Sequence, residues 1–185
     1  MATRDTRSGL IADYNGRGFW GGEEIAARYK RYCAQLKIQP RNIGGRRLVQ
    51  EDRTWIYPAM ESVIEGINHN DQACVMIGIE LIEEDQGFPF GKLLKSDTAR
   101  ALRQFATLDD SQQARLRHRF TDMLVRGYLP REYKEYAKLF KKIGLGIHRE
   151  AIENADQSNS FIRRWRAYLL GLPYDPRRPR WRASI

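Results

Sequence analysis

The chain has 185 residues, 42% apolar and 30% charged, with four Trp, nine Tyr and seven Phe. That composition excludes disorder along the whole chain, and the length allows a core that needs no staples. Two distant cysteines, Cys33 and Cys74, exclude a disulfide framework and a close-spaced zinc site, and the net charge of +9 points away from acidic solvating proteins.

The charge is segregated. Residues 1–47 carry ten Lys/Arg against four Asp/Glu, residues 48–91 one against nine, and residues 92–185 twenty-one against ten. Such blocks either pair internally or present a basic face to a polyanion, and composition leaves both readings open. The N-terminus, MATRDTRSGLIADYN, has no long apolar stretch after its first charges, so no secretory signal is expected. The most apolar window, ACVMIGIELI, is far shorter than the roughly 20 residues of a membrane span. A reducing, cytoplasmic setting is the expectation.

In chain order, residues 1–22 read as a flexible arm ending in a glycine-rich turn. Residues 23–37 place Ile25, Tyr29, Tyr32, Cys33 and Leu36 at helical spacing. Pro40 and Gly44-Gly45 break that helix, and residues 46–57 fit a short strand or a helical turn equally well. Pro58 opens a helix through Met60, Val63, Ile64 and Ile67. Asp71 caps the next, from Gln72 to Glu84, which is apolar on most sides and is expected to be the central helix. A helix or broken helix follows, with Leu93, Leu94, Leu102 and Phe105 inward and a restart at Ser96 or Asp97. Asp110 or Ser111 opens a helix burying Leu116, Phe120, Met123 and Leu124. Pro130 opens its hairpin partner, burying Tyr133, Tyr136, Ala137, Phe140 and Ile143. Short helices near 147–155 and at 160–170 complete a single helical domain over 23–171, and residues 172–185 form a Pro/Arg-rich tail expected to be disordered.

The expected fold is all-α: seven or eight short helices in antiparallel hairpins. This resembles a HEAT- or armadillo-like stack or an irregular bundle, although no repeating sequence period accompanies it.

Gly16-Arg17-Gly18-Phe19-Trp20-Gly21 matches G-x-G-x-x-G before a helix. No clear strand precedes it, no β-α-β alternation follows, and Glu23 and Glu24 at the helix start repel phosphate. It reads as a turn anchored by Phe19 and Trp20. Glu80, Glu83 and Glu84 form an acidic strip, and Glu65 and His69 one further ligand-type pair. A second pair is missing, and none of His69, His118 and His148 has Glu three residues before it, so no metal or other cofactor is expected. Whether the strip is solvated, paired with arginine or functional stays open. No nucleophile motif is present, which leans against an enzyme.

The positive signal is cationic. Between Arg131 and Lys142, the residues Arg131, Lys134, Lys138, Lys141 and Lys142 share a helix face opposite the aromatic one. Arg115, Arg119 and Arg126 share a face of the preceding helix, with Asp122 among them. Arg163, Arg164 and Arg166 follow, then Arg177, Arg178, Arg180 and Arg182, with Trp181 in the tail. Such clusters neutralise phosphates and gain from counterion release, and Trp181 or Tyr174 offers a ring to an unpaired base. Ile143-Gly144-Leu145-Gly146-Ile147, between two helices and with Ala151 following, resembles the turn of a helix-hairpin-helix DNA-binding element. The resemblance covers about 20 residues. It implies that Gly144 and Gly146 expose backbone N–H groups to a phosphate, flanked by Lys142 and His148. The second helix is shifted by one residue from the usual spacing, and His148-Arg149 stands where a Lys is expected.

The leading expectation is therefore a non-enzymatic helical protein that contacts DNA or RNA through its basic face and tail. The alternative is an adaptor binding another protein through the acidic strip or a hairpin groove. An enzyme with an unrecognised helical site comes third, and a membrane-surface role through the tail last.

Overall fold

The computed structural model describes residues 10–51, 53–85, 87 and 90–174. Eight α-helices run through these residues: α1 (Gly22–Leu36), α2 (Ala59–Asn68), α3 (Gln72–Glu84), α4 (Gly91–Gln104), α5 (Asp110–Val125), α6 (Tyr133–Ile143), α7 (Arg149–Glu153) and α8 (Ser160–Leu170). The protein is mostly helical, and the all-α expectation needs one correction. Strands β1 (Leu10–Asp13), β2 (Arg47–Gln50) and β3 (Arg53–Ile56) form a small sheet in the order β1-β3-β2.

β2 and β3 make an antiparallel hairpin pairing Arg47 with Ile56 and Gln50 with Arg53. Glu51, the residue after β2, adopts φ 54°. β1 runs parallel to β3, pairing Leu10 with Arg53 and Asp13 with Ile56. A parallel pair needs a long crossover, and α1 lies within it. A strand therefore does precede the G-x-G-x-x-G turn, contrary to the sequence reading.

That turn is nonetheless filled from within. Residues Gly18–Trp20 form one 3-10 turn, and Trp20 is 1% exposed. A Cβ on Gly16 would lie 2.7 Å from the Trp20 Cβ, so only glycine lets the indole seat there. The Trp20 Nε1 donates to Glu84 at 2.7 Å, tying the N-terminal segment to the end of α3.

α3 is the central helix. Its residues Ala73, Cys74, Val75, Ile77, Gly78, Ile79, Leu81 and Ile82 are all buried, and it contacts α1, α2, α4 and α5. A helix apolar around most of its circumference has no stable place except inside such a ring. The Asp71 carboxylate caps it, accepting from Ala73 N and Cys74 N. α5 has a full capping box, in which Asp109 and Gln112 exchange side chain-to-backbone hydrogen bonds. Asn159 caps α8.

α4 is continuous and has no restart at Ser96. Leu94 and Leu102 are buried as expected, but Leu93 is 63% and Phe105 50% exposed. α6 begins at Tyr133, so Pro130 and Arg131 lie in the turn before it. No helix among the described residues is long and apolar enough to cross a membrane.

Candidate anion-binding surface

The acidic strip is paired with arginine. Arg28 of α1 reaches Glu80 at 3.0 Å and Glu84 at 3.1 Å, with its guanidinium 4.4 Å from the Trp20 ring centre. The Tyr32 hydroxyl donates to Glu80, and burial together with this bond pushes the Tyr32 phenol up to about 12. Arg115 of α5 grips Glu83 with two parallel bonds, one of them 2.9 Å from Nε. Those bonds, outweighing burial, raise the Arg115 pKa further. Arg119 binds the Ile82 carbonyl at 3.3 Å and Asp85 at 3.4 Å. Two of the candidate cations on α5 are thus occupied by α3. The third, Arg126, is exposed and pairs with Asp122 at 2.6 Å. Among the described residues, no group of three or more His, Cys, Asp or Glu side chains could hold a metal ion.

The lysines of α6 have a different setting. Lys138, Lys141 and Lys142 converge with Arg103 of α4 and Tyr168 of α8 on an open cleft of about 530 Å³. Helical spacing explains the α6 contribution, because residues three and four apart share a face. The opposite face of α6, with Tyr133, Tyr136, Ala137 and Phe140, is buried and fixes the orientation.

The lysines are anchored to backbone more than to carboxylates. Lys141 Nζ donates to the Tyr168 carbonyl at 3.3 Å and lies 4.6 Å from the Tyr168 ring centre. Lys142 Nζ donates to the Arg103 carbonyl. Neither has an acidic partner among the described residues. Glu135 is the counter-charge to Lys138 at 2.9 Å, Arg100 at 3.8 Å and Arg103 at 4.0 Å. Burial pushes its pKa up, but Lys138 first, then Arg100 and Arg103, hold it below the usual carboxylate range. One shared carboxylate therefore faces Arg100, Arg103 and Lys138, while Lys141 and Lys142 bond main-chain carbonyls.

The other described candidates do not line this cleft. Arg131 and Lys134 are exposed before and at the start of α6. Arg163 and Arg166 of α8 donate to the carbonyls of Gln157 and Glu153 at 3.4 and 3.1 Å. They line a second cleft, of about 440 Å³, with Tyr174. Arg164 is exposed, 5.2 Å from the Trp165 ring centre. Arg177, Arg178, Arg180, Trp181 and Arg182 lie outside the described residues.

In the Gly144–Ile147 turn both glycines adopt positive φ, 77° at Gly144 and 54° at Gly146. Arg117 turns inward here, donating to the Gly144 carbonyl at 2.9 Å and also to the Ile143 carbonyl, so it closes the C-terminus of α6. The helix after the turn, α7, is only five residues long. The His118 and His148 rings lie 6.3 Å apart, and burial, then His118 and Arg117, lower the His148 pKa.

Sequence reasoning missed Arg103 and Tyr168. Their convergence with α6 is tertiary, joining α4, α6 and α8 across segments far apart in the chain, and periodicity within one helix carries no sign of it. Comparison of the chain with known protein families, with curated proteins and with solved structures gave no match.

Proposed function

We propose that this is a non-enzymatic helical protein that binds nucleic acid through the cleft formed by Arg103, Lys138, Lys141, Lys142 and Tyr168. The Arg-rich segment from Arg177 to Arg182 adds phosphate contacts in this reading. The observation that supports it best is the pair Lys141 and Lys142, held by main-chain carbonyls at the mouth of an open cleft and free of acidic partners among the described residues. Ammonium groups held in this way are pre-positioned for phosphate oxygens, and each phosphate neutralised releases condensed counterions. The helical hairpins, HEAT-like or irregular, serve as the frame that presents the cleft.

The test is fluorescence anisotropy with labelled DNA and RNA over a salt series. Binding should weaken steeply with salt, and K141E/K142E should abolish most of it at near-physiological ionic strength. A chain ending at Tyr174 measures the share carried by the tail. Binding that is absent above low salt, or unchanged in K141E/K142E, overturns the reading.

One observation favours the adaptor alternative. Pro58, Ile64, Phe90, Leu93 and Leu94 line a cleft of about 370 Å³ with Glu61 and Asp97. Phe90 is 53% and Leu93 63% exposed there. Exposed apolar side chains gathered around a cleft suit a helix or loop from another protein. Leu93→Asp should then abolish capture of a partner that survives nuclease treatment and should leave nucleic-acid affinity unchanged.

A further inference from the structure

Resting on the nucleic-acid reading above, we infer that the strand bound is single-stranded, with Phe161 and Tyr168 of α8 as its stacking platforms. Phe161 and Tyr168 are seven residues apart, which places them on one face of the helix. Arg164 stands between them, three residues after one and four before the other. Phe161 is 65% exposed and Tyr168 37%, while Ile162, Ala167 and Leu169 face the core. Folding alone does not require an aromatic ring at Phe161, since most of it stays in water. A ring–cation–ring stripe is the pattern by which sequence-tolerant single-strand sites alternate base stacking with phosphate contact.

The stripe runs into the basic cleft. Tyr168 forms part of that cleft, and the Lys141 ammonium sits over its ring at 4.6 Å. The ring is held edge-on against Trp165, with centroids 5.7 Å apart and planes at 89°. Trp165 is in turn braced edge-on by the buried Tyr133 at 5.7 Å. Tyr168 is therefore pre-oriented, and stacking on it costs little side-chain ordering. The Lys141 ammonium beside the ring places a phosphate contact next to the base stacked there. From Phe161 to Tyr168 the helix rises about 10 Å. A duplex keeps its base faces stacked on one another, so it meets only the cations of this surface.

The test uses the full chain, labelled oligothymidylate and oligouridylate of about 16 nucleotides, and a blunt duplex of equal length. Anisotropy is read at near-physiological salt for wild type, F161A/Y168A, F161S, Y168F and K141E/K142E, with circular dichroism melts to verify folding. The single strands should bind more tightly than the duplex. F161A/Y168A should weaken single-strand binding roughly five- to hundred-fold, and F161S, at a ring outside the cleft, should weaken it while leaving duplex affinity and the salt slope unchanged. Y168F, which keeps the ring, should bind as wild type does. If F161A/Y168A does not fold, F161S alone carries the test at the more exposed position. Tighter binding to duplex, or single-strand binding indifferent to the aromatic variants but lost in K141E/K142E, overturns the single-strand inference and leaves the basic-cleft reading standing. Absence of binding to every probe overturns both.

Discussion

Asp71 gathers two roles in one carboxylate. Its Oδ1 accepts from Ala73 N at 3.0 Å and Cys74 N at 3.3 Å, which caps α3. Its Oδ2 accepts from the Tyr29 hydroxyl at 2.8 Å and pairs with Arg41 at 3.4 Å. Burial pushes the Asp71 pKa up, but the bonds from Tyr29 and from the Cys74 and Ala73 amides prevail and hold it below the usual carboxylate range. The folded pKa lies below the unfolded one, so this stabilisation is complete above the ordinary Asp pKa and is lost as pH falls through the depressed folded value. Asp71→Ala should lower stability by about 1–2 kcal/mol through the cap alone, with a further loss from the orphaned Tyr29 hydroxyl. Urea melts at about pH 7 and about pH 3 should show the gap to wild type narrowing in acid, and an unchanged gap would take the ionised carboxylate out of the explanation. Arg28 is a second such residue, because a single guanidinium, with its side chain 9% exposed, serves both Glu80 and Glu84. Arg28→Met should destabilise by about 1–3 kcal/mol, since two carboxylates lose their shared cation in a partly dry site and keep only the bonds from Tyr32 and Trp20. Arg28→Lys should fall between, because it keeps the charge but loses the guanidinium plane that lies against the Trp20 ring. Equal urea midpoints for the two variants would show that the retained charge contributes nothing at this site.

At the scale of elements, α2 and α3 are held close by a glycine. A Cβ on Gly66 would lie 2.3 Å from the Cys74 Sγ and 2.9 Å from its Cβ. Ala is favoured over Gly in a helix interior by about 1 kcal/mol, whereas overpacking a filled interface costs about 1–3 kcal/mol. The Cys74 Cβ moves only with the α3 backbone, so overpacking wins and Gly66→Ala should destabilise. In a Cys74→Ala background the share due to the Sγ should vanish and the cost shrink, and simple additivity in thermal melts would place the clash at the retained Cβ or at Arg41 Nη2, 2.4 Å away. The helices were legible because each carries its own signals. α3 is predicted from Gln72 to Glu84 and found there, since Asp71 caps it and its apolar residues extend around most of its surface. The sheet was not legible. All four residues of β2 are exposed, so no apolar alternation marks it, and β1 acquires its partner only from β3, 43 residues on by the pairing of Leu10 with Arg53. The lysines of the cleft were legible as one face of α6. The engagement of Arg115 and Arg119 was not, because the acids that bind them belong to α3 and the residue just past it.

Across the whole molecule, the acidic middle of the chain folds between the two basic blocks. Glu80 and Glu84 bind Arg28 from the first block, and Glu83 and Asp85 bind Arg115, Arg119 and Lys95 from the last. The segregated charges therefore meet at the end of α3, and cations elsewhere, Lys141 and Lys142 among them, are left to set the outward field. The innermost contact of this junction is Lys95 of α4. It bonds Asp85 just past α3 and lies 4.0 Å from Glu132, which precedes α6. The Lys95, Asp85 and Glu132 side chains are 5%, 7% and 3% exposed, so water screens little of their interaction. Removing one member of a buried ion pair typically costs about 3–5 kcal/mol, because the charge left behind has neither partner nor solvent; here that charge belongs to Glu132, since Asp85 keeps Arg119. Lys95→Met should therefore be among the most destabilising substitutions in the protein. The triple variant K95M/D85N/E132Q removes the stranded charges and should recover much of that loss, although the amide introduced by D85N must still satisfy Arg119 and Tyr128, the groups that face Asp85 in the native fold. Chemical denaturation of the single and triple variants separates the two contributions. A triple variant no more stable than K95M would mean that packing of the Lys95 stem, and not charge pairing, joins α3, α4 and α6.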